Sequence, residues 1–183
     1  ITLYQFKHSA FCLKIRMALH AKNLKYRVEE ISPAVGQIEI FKISGQKQLP
    51  VIMDENGQII SDSSTICEYI DTKNTNNSLF PSDPIHLSQS KIIEDWADTT
   101  MASVCKQALI KSALENPRLR AALLPNELPS SIRGIFEKLP FNNLSKISNV
   151  VLSNKSNIEL QKILESLSKS LINKKFIIGE SLT

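Results

Sequence analysis

Two residues at the predicted start of the first helix are of types that can act on a negatively charged group. Ser9 directly precedes residues 10–22 and is the expected N-cap of that helix. Cys12 follows in the first helical turn, where a thiol can be acidified. A helix N-terminus carries about half a positive charge and unpaired N–H groups. The segment therefore predicts affinity for an anion, although Ser9 alone can equally be a cap and Cys12 a small buried apolar residue.

A second candidate lies at Leu49-Pro50, which opens the apolar run LPVIM at residues 49–53. Proline cannot donate to a sheet ladder, so a strand that begins with a cis proline resolves the conflict. The backbone N–H and C=O of Leu49 would then turn out of the sheet and pair with a peptide, with Gln48 or Lys47 beside the same groove. An ordinary edge-strand proline is the alternative.

A third candidate is the pair Asp62-Ser63, which precedes a predicted helix over residues 63–73. The N–H and hydroxyl of Ser63 suit a ligand carboxylate at the helix terminus. The carboxylate of Asp62 suits a ligand ammonium. The alternative is that both residues serve only as helix caps.

These residues lie in a first half that alternates strand and helix patterns, in the order βαβαββα. The predicted strands are 1–6, 25–31, 49–53 and 58–60, and the predicted helices are 10–22, 35–43 and 63–73. The apolar face of the first helix is predicted to comprise Phe11, Ile15, Ala18 and Leu19.

Residues 74–84 (NTNNSLFPSDP) are polar, contain two prolines and predict a linker. Strand patterns nearly vanish from residue 85 onward. One long helix is predicted over 87–114 and ended by Pro117. Residues 117–142 read as irregular with short amphipathic pieces. Residues 143–173 are again helical, with a break near 153–157.

Composition limits the class of protein. The chain has 183 residues, of which 42% are hydrophobic and 22% charged, as expected of a soluble globular protein. No apolar run approaches the ~18 residues of a membrane span, so no membrane association is expected. The net charge of +4 arises in residues 85–183 from scattered basic side chains, which predicts a solvated surface rather than nucleic-acid binding.

The cysteines are few and widely spaced: Cys12, Cys67 and Cys105. An odd number without a paired motif favours a reducing cytoplasm and predicts no metal site. Cys67 and Cys105 are expected to lie within helices and to face the core. The three histidines stand alone in the sequence and are not expected to be ligands: His8, His20 and His86.

Three segments, in this order, resemble the thioredoxin-like domain of the glutathione S-transferase superfamily. They are HSAFCLKIRMALHAKNLKYRVEEI, KQLPVIMDENGQII and SDSSTICEYID. SLFPSDP is similar to the linker into the all-helical domain of that family, and KKFIIGESLT is similar to the approach to a buried helix there. Two departures are Ala10, where many relatives have proline, and the long segment 117–142.

The resemblance implies an α/β plus all-α fold. A thioredoxin-like βαβαββα glutathione-binding domain would occupy residues 1–73, followed by the linker 74–84 and a helical domain over 85–183. Thr183 would be the N-cap of a further helix, so that the helical domain would be incomplete at its C-terminal end.

The resemblance further implies a glutathione transferase acting in detoxification, with glutathione as co-substrate, a small hydrophobic electrophile as second substrate, and a homodimeric assembly. Ser9 would be the catalytic residue that stabilises the glutathione thiolate. The implied glutathione-binding residues are Phe11, Gln48, Leu49, Pro50, Asp62 and Ser63.

Two alternatives follow from the same resemblance. Glutaredoxin-like relatives have the second cysteine of a CxxC motif where this chain has Cys12. The chain could therefore be a glutathione-dependent thiol-disulfide oxidoreductase that uses Cys12. It could also be a non-catalytic binding module with the same fold.

Overall fold

A computed structural model describes residues 1–32, 36–124, 134 and 155–180. The described chain falls into two compact units, Ile1–Ser90 and Lys91–Glu180. The fold class predicted from the sequence is confirmed: the first unit combines a four-stranded mixed sheet with helices, and the described part of the second unit is helical.

The first unit follows the predicted order βαβαββα. Every boundary lies within two residues of the one predicted, because apolar patterns, turn residues and capping residues mark them in the sequence. The strands are β1 (Thr2–Gln5), β2 (Arg27–Glu30), β3 (Val51–Met53) and β4 (Ile59–Ser61). The helices are α1 (Ala10–Ala21), α2 (Gly36–Ser44) and α3 (Ser63–Lys73).

The strands are arranged in the order β2-β1-β3-β4. β1 pairs with β2 in parallel and with β3 antiparallel, and β3 and β4 form an antiparallel hairpin. The register aligns Tyr4 with Val51 and Val51 with Ser61. The end of β1, the start of β3 and the end of β4 consequently meet at one edge of the sheet, the edge formed by the ends of the strands and not by an outermost strand.

Both faces of the sheet are covered. On one face, Leu3, Ile52 and Ile60 form a row that packs against α1 and α3. On the other face, Val51 packs with Ile31 and with Ile40 of α2. This three-layer arrangement fixes the N-termini of α1 and α3 relative to the sheet edge described above.

Two details of the first unit differ from the sequence predictions. The buried side of α1 includes Cys12, whereas Phe11 is half-buried. β2 is mostly exposed rather than half-buried, with Val28 42% exposed. The reason is that β2 is the outermost strand, which has one neighbouring strand among the described residues.

A helical stretch begins in the linker region and continues into the second unit. α4 (Pro84–Trp96) passes through a π-helical segment (Ala97–Met101) into α5 (Ala102–Glu115). The predicted long helix is therefore confirmed, but it starts at Pro84, where Asp83 accepts a hydrogen bond from the His86 N–H at 2.8 Å. Residues 74–83, between α3 and α4, form neither helix nor strand.

Pro117 begins a new helix, α6 (Pro117–Leu123), because Asn116 caps the N–H groups of Arg118 and Leu119. The first part of the segment predicted to be irregular is thus helical. Apart from Gly134, the remainder of 117–142 from residue 125 lies outside the described residues. So does the predicted helix over 143–154, while α7 (Lys155–Ser170) confirms its later part.

Thr183 also lies outside the described residues. Within the part of the chain that the structure covers, no helix has both the length and the apolar character needed to cross a membrane.

Candidate functional site

Three candidate segments come together at one edge of the sheet in the first unit. The loop that ends at Ser9 follows β1, Leu49-Pro50 precedes β3, and Asp62-Ser63 follows β4. Since Tyr4, Val51 and Ser61 are aligned across the sheet, these three segments leave it at the same edge. Residues that are more than 50 positions apart in the sequence therefore belong to one surface region.

Ser9 is the N-cap of α1, in an extended backbone conformation. Its Oγ accepts a hydrogen bond from the Cys12 N–H at 3.3 Å, and its own N–H donates to the Phe6 carbonyl at 2.9 Å. The predicted capping role is therefore observed. The cap uses a lone pair of Oγ, so that the hydroxyl hydrogen remains a donor for an anion at the N-terminus of the helix.

Cys12 is completely buried, and no part of its surface reaches solvent. Burial raises the pKa of its thiol. Hydrogen bonds with the Phe6 backbone and the Ser9 side chain, and the positive charge of Arg16, lower this pKa, but burial outweighs them. The thiolate is thus disfavoured at neutral pH, which is the opposite of what a redox-active thiol needs. Cys12 acts as a core residue beneath the N-cap.

Leu49-Pro50 is a cis peptide bond, as the sequence analysis expected. Pro50 is buried, and the half-buried Leu49 packs against the Val51 cluster on the α2 face of the sheet. Gln48 and Lys47 are exposed beside them. Phe11 lies in the first turn of α1 and is half-buried.

Asp62 is the N-cap of α3 and has an uncommon backbone conformation, with φ of 73° and ψ of 126°. Its Oδ1 accepts hydrogen bonds from the N–H groups of Ser64 and Thr65 at 3.1 and 3.0 Å, and from the Thr65 hydroxyl. A positive φ at a residue other than glycine costs of order 1–3 kcal/mol and is often found at functional sites. The exposed carboxylate therefore has a structural role and can still face a ligand.

Ser63 is the first residue of α3 and is buried. The cap bonds from Asp62 go to the next two N–H groups of the helix and not to that of Ser63. Lys14 of α1 donates to the Ser64 Oγ at 3.2 Å and brings a positive charge to the same helix N-terminus. The surroundings of Ser63 are consequently favourable to a carboxylate.

Sequence reasoning missed four residues that support the Ser9 loop. Arg16 Nη1 donates to Gln5 Oε1 at 2.5 Å, and Gln5 Nε2 donates to Glu30 Oε2 at 3.0 Å. The Lys7 N–H donates to Glu30 Oε1 at 2.5 Å, and the Lys7 carbonyl accepts from Arg16 Nη2 at 3.4 Å. The four residues form a closed ring of hydrogen bonds. One signal in the sequence was available: Gln5 is polar at a position where strand alternation from Leu3 predicts an inward side chain.

The remaining titratable candidates lie elsewhere. His8 and His20 are exposed, and His86 lies 3.5 Å from Asp83. Cys67 is buried as expected, whereas Cys105 is only half-buried; all three cysteines are free thiols. Among the described residues, no group of three or more His, Cys, Asp or Glu side chains is arranged to hold a metal ion.

Comparison with known families identifies the first unit. Residues 3–78 match the family model of the glutathione S-transferase N-terminal domain. A stringent starvation protein A homolog from Pasteurella multocida is 24% identical over 146 residues, which cover 77% of this chain and 65% of that protein. Glutathione S-transferase omega-1 from Mus musculus is 24% identical over 123 residues, covering 67% and 51%. The chain thus spans between half and two thirds of the length of these relatives.

Solved structures show the same fold. The beta-etherase LigF from Sphingobium sp. superposes with a TM-score of 0.69 at 20% identity, covering 99% of this chain and 78% of that one. A glutathione transferase homolog from Sulfitobacter, solved with bound glutathione, gives a TM-score of 0.52 at 16% identity, covering 84% and 69%. At these identities the likeness concerns the fold alone.

Proposed function

Because the chain belongs to the glutathione S-transferase superfamily through its first domain, we propose that it binds glutathione at the sheet edge and transfers it to an electrophile. The observation that carries this proposal is the meeting of Ser9, Leu49-Pro50 and Asp62-Ser63 at one edge of the sheet. Each segment offers groups suited to a different part of the tripeptide. The boundaries 1–73, 74–84 and 85–183 are proposed as its domain organisation.

The binding mode follows from the chemistry of each segment. The γ-glutamyl end of glutathione carries an ammonium group for Asp62 and a carboxylate for the N-terminus of α3 at Ser63. The backbone of Leu49 pairs with the peptide as a short antiparallel strand, flanked by the exposed Gln48. In this pose the thiol points towards Ser9, with Phe11 of the first α1 turn beside it.

Ser9 would then stabilise the thiolate. Lowering a thiol pKa by about two units from ~8.5 requires roughly 2.7 kcal/mol of preferential stabilisation of the anion. A hydrogen bond to a charged acceptor contributes ~1.5–3 kcal/mol, and a helix N-terminus adds ~0.3–1 kcal/mol. The hydroxyl of Ser9 at the start of α1 is sufficient for this task.

The reaction is a nucleophilic substitution. The thiolate sulfur forms a bond to an electrophilic carbon, and a leaving group such as chloride departs with the bonding electron pair. The thiol proton passes to solvent before attack. The protein supplies position and anion stabilisation, and no covalent enzyme intermediate is needed. The electrophile is proposed to be small and hydrophobic, the assembly a homodimer, and the setting detoxification in the cytoplasm.

The proposal is tested by conjugation of glutathione to chlorodinitrobenzene, together with an ultraviolet titration of the bound thiolate. Ser9→Ala should lower kcat/KM at least about tenfold, because a charge-assisted bond of ~1.5 kcal/mol is lost. Ser88→Ala, on exposed α4, is the matched control. An unchanged kcat/KM in Ser9→Ala would remove Ser9 from the proposal.

Thiol-disulfide exchange through Cys12 receives less support, because that thiol is buried and its pKa is raised. A binding module without catalysis is the second candidate, since one relative is named as a stringent starvation protein and not as a transferase. Calorimetry with glutathione separates the binding module from the transferase. Weak or absent binding of glutathione would favour the module, whereas tight binding would count strongly against it.

A further inference from the structure

The closed ring formed by Gln5, Lys7, Arg16 and Glu30 holds the backbone of Lys7 at both its N–H and its carbonyl. Glu30 accepts from the N–H of Lys7, and Arg16 donates to the carbonyl of the same residue. Gln5 closes the ring by bonding to both charged side chains. Lys7 is itself exposed, so that no packing of its side chain fixes this part of the backbone.

The ring lies immediately before the residue proposed to act on the thiol. Only His8 separates the clamped Lys7 from Ser9, and the Ser9 N–H is bonded back to Phe6, on the other side of Lys7. The backbone path from the end of β1 to the N-cap of α1 is thus constrained at Lys7 by side chains and at Phe6 by the backbone. The direction of the Ser9 Oγ depends on this path.

The ring also draws on three elements of the fold. Gln5 ends β1, Glu30 ends β2 in the parallel register position opposite Gln5, and Arg16 lies in the second turn of α1. Gln5 is buried, with 5% of its surface exposed. A buried amide whose donor and acceptor are both satisfied by charged partners is a rigid support, because any displacement leaves a polar group unpaired.

We propose that Gln5, Arg16 and Glu30 are positioning residues that aim the Ser9 hydroxyl at the glutathione sulfur through the clamped backbone of Lys7. This inference rests on the proposed function for its catalytic consequence. The ring should therefore control the pKa of the bound thiol and kcat, while glutathione affinity, which depends on the Pro50 and Ser63 segments, should change little.

Arg16→Lys is the most informative substitution. Lysine keeps the positive charge beside α1 but lacks the planar fork that bonds Gln5 and the Lys7 carbonyl together. We expect the bound-thiol pKa to rise by about one unit and kcat at neutral pH to fall about tenfold, with KM for glutathione changed less than about twofold. The matched control is Arg27→Lys, in an exposed ion pair with Glu29 outside the ring.

A second substitution is chosen to keep the fold intact. Glu30→Ala removes an exposed side chain from the outermost strand, β2, and leaves the Lys7 N–H without its acceptor. The exchange of this amide with solvent, followed by NMR in the intact protein, should accelerate about tenfold, whereas the Ser9 amide bonded to Phe6 should be less affected. Lys7 amide exchange that stays as slow as in the unmodified protein would overturn the clamp.

The failure of this inference can be distinguished from the failure of the proposed function. If Ser9→Ala raises the bound-thiol pKa but Arg16→Lys and Glu30→Ala do not, the ring has no positioning role. If Ser9→Ala has no effect, the assignment of Ser9 in the proposed function fails, while the amide measurement still reports on the clamp. In the double variant Ser9→Ala, Arg16→Lys, the ring substitution should add no further loss of kcat, because it acts through the missing hydroxyl.

Discussion

Lys22 and Asp71 form an ion pair that holds the polar segment after α3 against the C-terminal end of α1. Lys22 Nζ lies 2.8 Å from Asp71 Oδ1, and its side chain is fully buried. The same ammonium donates to the carbonyls of Asn76 and Asn77 at 3.2 and 3.1 Å. Asp71 in turn accepts from the Leu79 N–H at 2.7 Å. One lysine therefore satisfies all three of its donors within the fold.

Asp71→Asn should destabilise the protein by about 3 kcal/mol, because it leaves the ammonium of Lys22 buried without a countercharge. The pKa of Asp71 is consistent with this pairing: burial raises it, but the bonds from Lys22 and Leu79 outweigh burial and lower it overall. Urea unfolding is the measurement. Glu29→Gln, which removes an exposed ion pair with Arg27, should cost less than about 1 kcal/mol. Equal costs in the two variants would contradict the account.

Asp54 should make stability depend on pH in acid. Bonds from the Tyr69 hydroxyl and from the Gln58 and Asn56 N–H groups lower its pKa from 3.8 to about 2. Because the pKa of Asp54 is lower in the folded state, its carboxylate stabilises the fold fully when the pH is above the pKa of the unfolded state, about 4. This stabilisation is lost as the pH falls from about 4 through about 2. Asp54→Asn should flatten this part of a stability profile. Glu55→Gln, at the exposed neighbouring position, should leave the profile unchanged; an Asp54→Asn profile as steep as the original would count against the assignment.

Ser9→Asp should separate the two roles of Ser9. Aspartate is as good an N-cap as serine and can accept the Cys12 N–H, so the unfolding free energy should change by less than about 0.5 kcal/mol. Ser9→Ala should lose about 1 kcal/mol. Ionised aspartate has no hydrogen to donate and repels a thiolate, so conjugation should fall further in Ser9→Asp than in Ser9→Ala. The reverse ranking of activities would mean that capping alone explains the serine.

Cys12 should resist thiol reagents in the native protein, because it is buried and its pKa is raised. Timed labelling followed by mass spectrometry should modify the half-buried Cys105 first and Cys12 only on unfolding. The Cys12→Ala variant should keep its conjugation rate within about twofold. Rapid labelling of native Cys12, or reduction of a mixed disulfide that disappears in Cys12→Ser, would revive the oxidoreductase alternative.

Two substitutions of Asp62 should separate its role as a helix cap from its proposed role in glutathione binding. Asp62→Ala removes the acceptor of three hydrogen bonds while retaining the positive φ, and should cost about 2 kcal/mol. Asp62→Asn keeps the cap and the shape of the side chain, so its stability should be nearly unchanged. Glutathione affinity should nevertheless fall about tenfold in Asp62→Asn, because the ammonium loses its countercharge. Unaltered affinity, measured by calorimetry, would leave Asp62 as a cap only.

The sequence was sufficient to predict the elements of the first unit because each is marked locally. Ser9 and Asp62 cap α1 and α3, Pro50 precedes β3, and β-branched, aromatic and apolar residues identify the strands. The residues of the candidate site could be predicted for the same reason. They lie at the boundaries of helices and strands, and the segments that contain them occur in the same order as in the family that the chain resembles. Their roles towards glutathione stay predictions.

Features that depend on tertiary pairing were not predicted. The polar ring requires Arg16, Gln5 and Glu30 to meet, and no local pattern indicates that two strands and a helix bring them together. Lys22 is similar: it continues the spacing of the buried face of α1, where an apolar residue would be expected, and its partners lie about 50 positions away. The exposure of β2 also depends on strand order, which a single-strand pattern does not contain.

The outer edge of β2 has a consequence for how the protein behaves in concentrated solution. A strand with one open side offers unpaired backbone groups to any other chain, which is the usual starting point for fibril growth. Here that strand reads RVEE and carries the exposed Arg27 and Glu30. Stacking identical copies in register would align like charges and desolvate them, so the charged side chains act as gatekeepers against self-association through this edge.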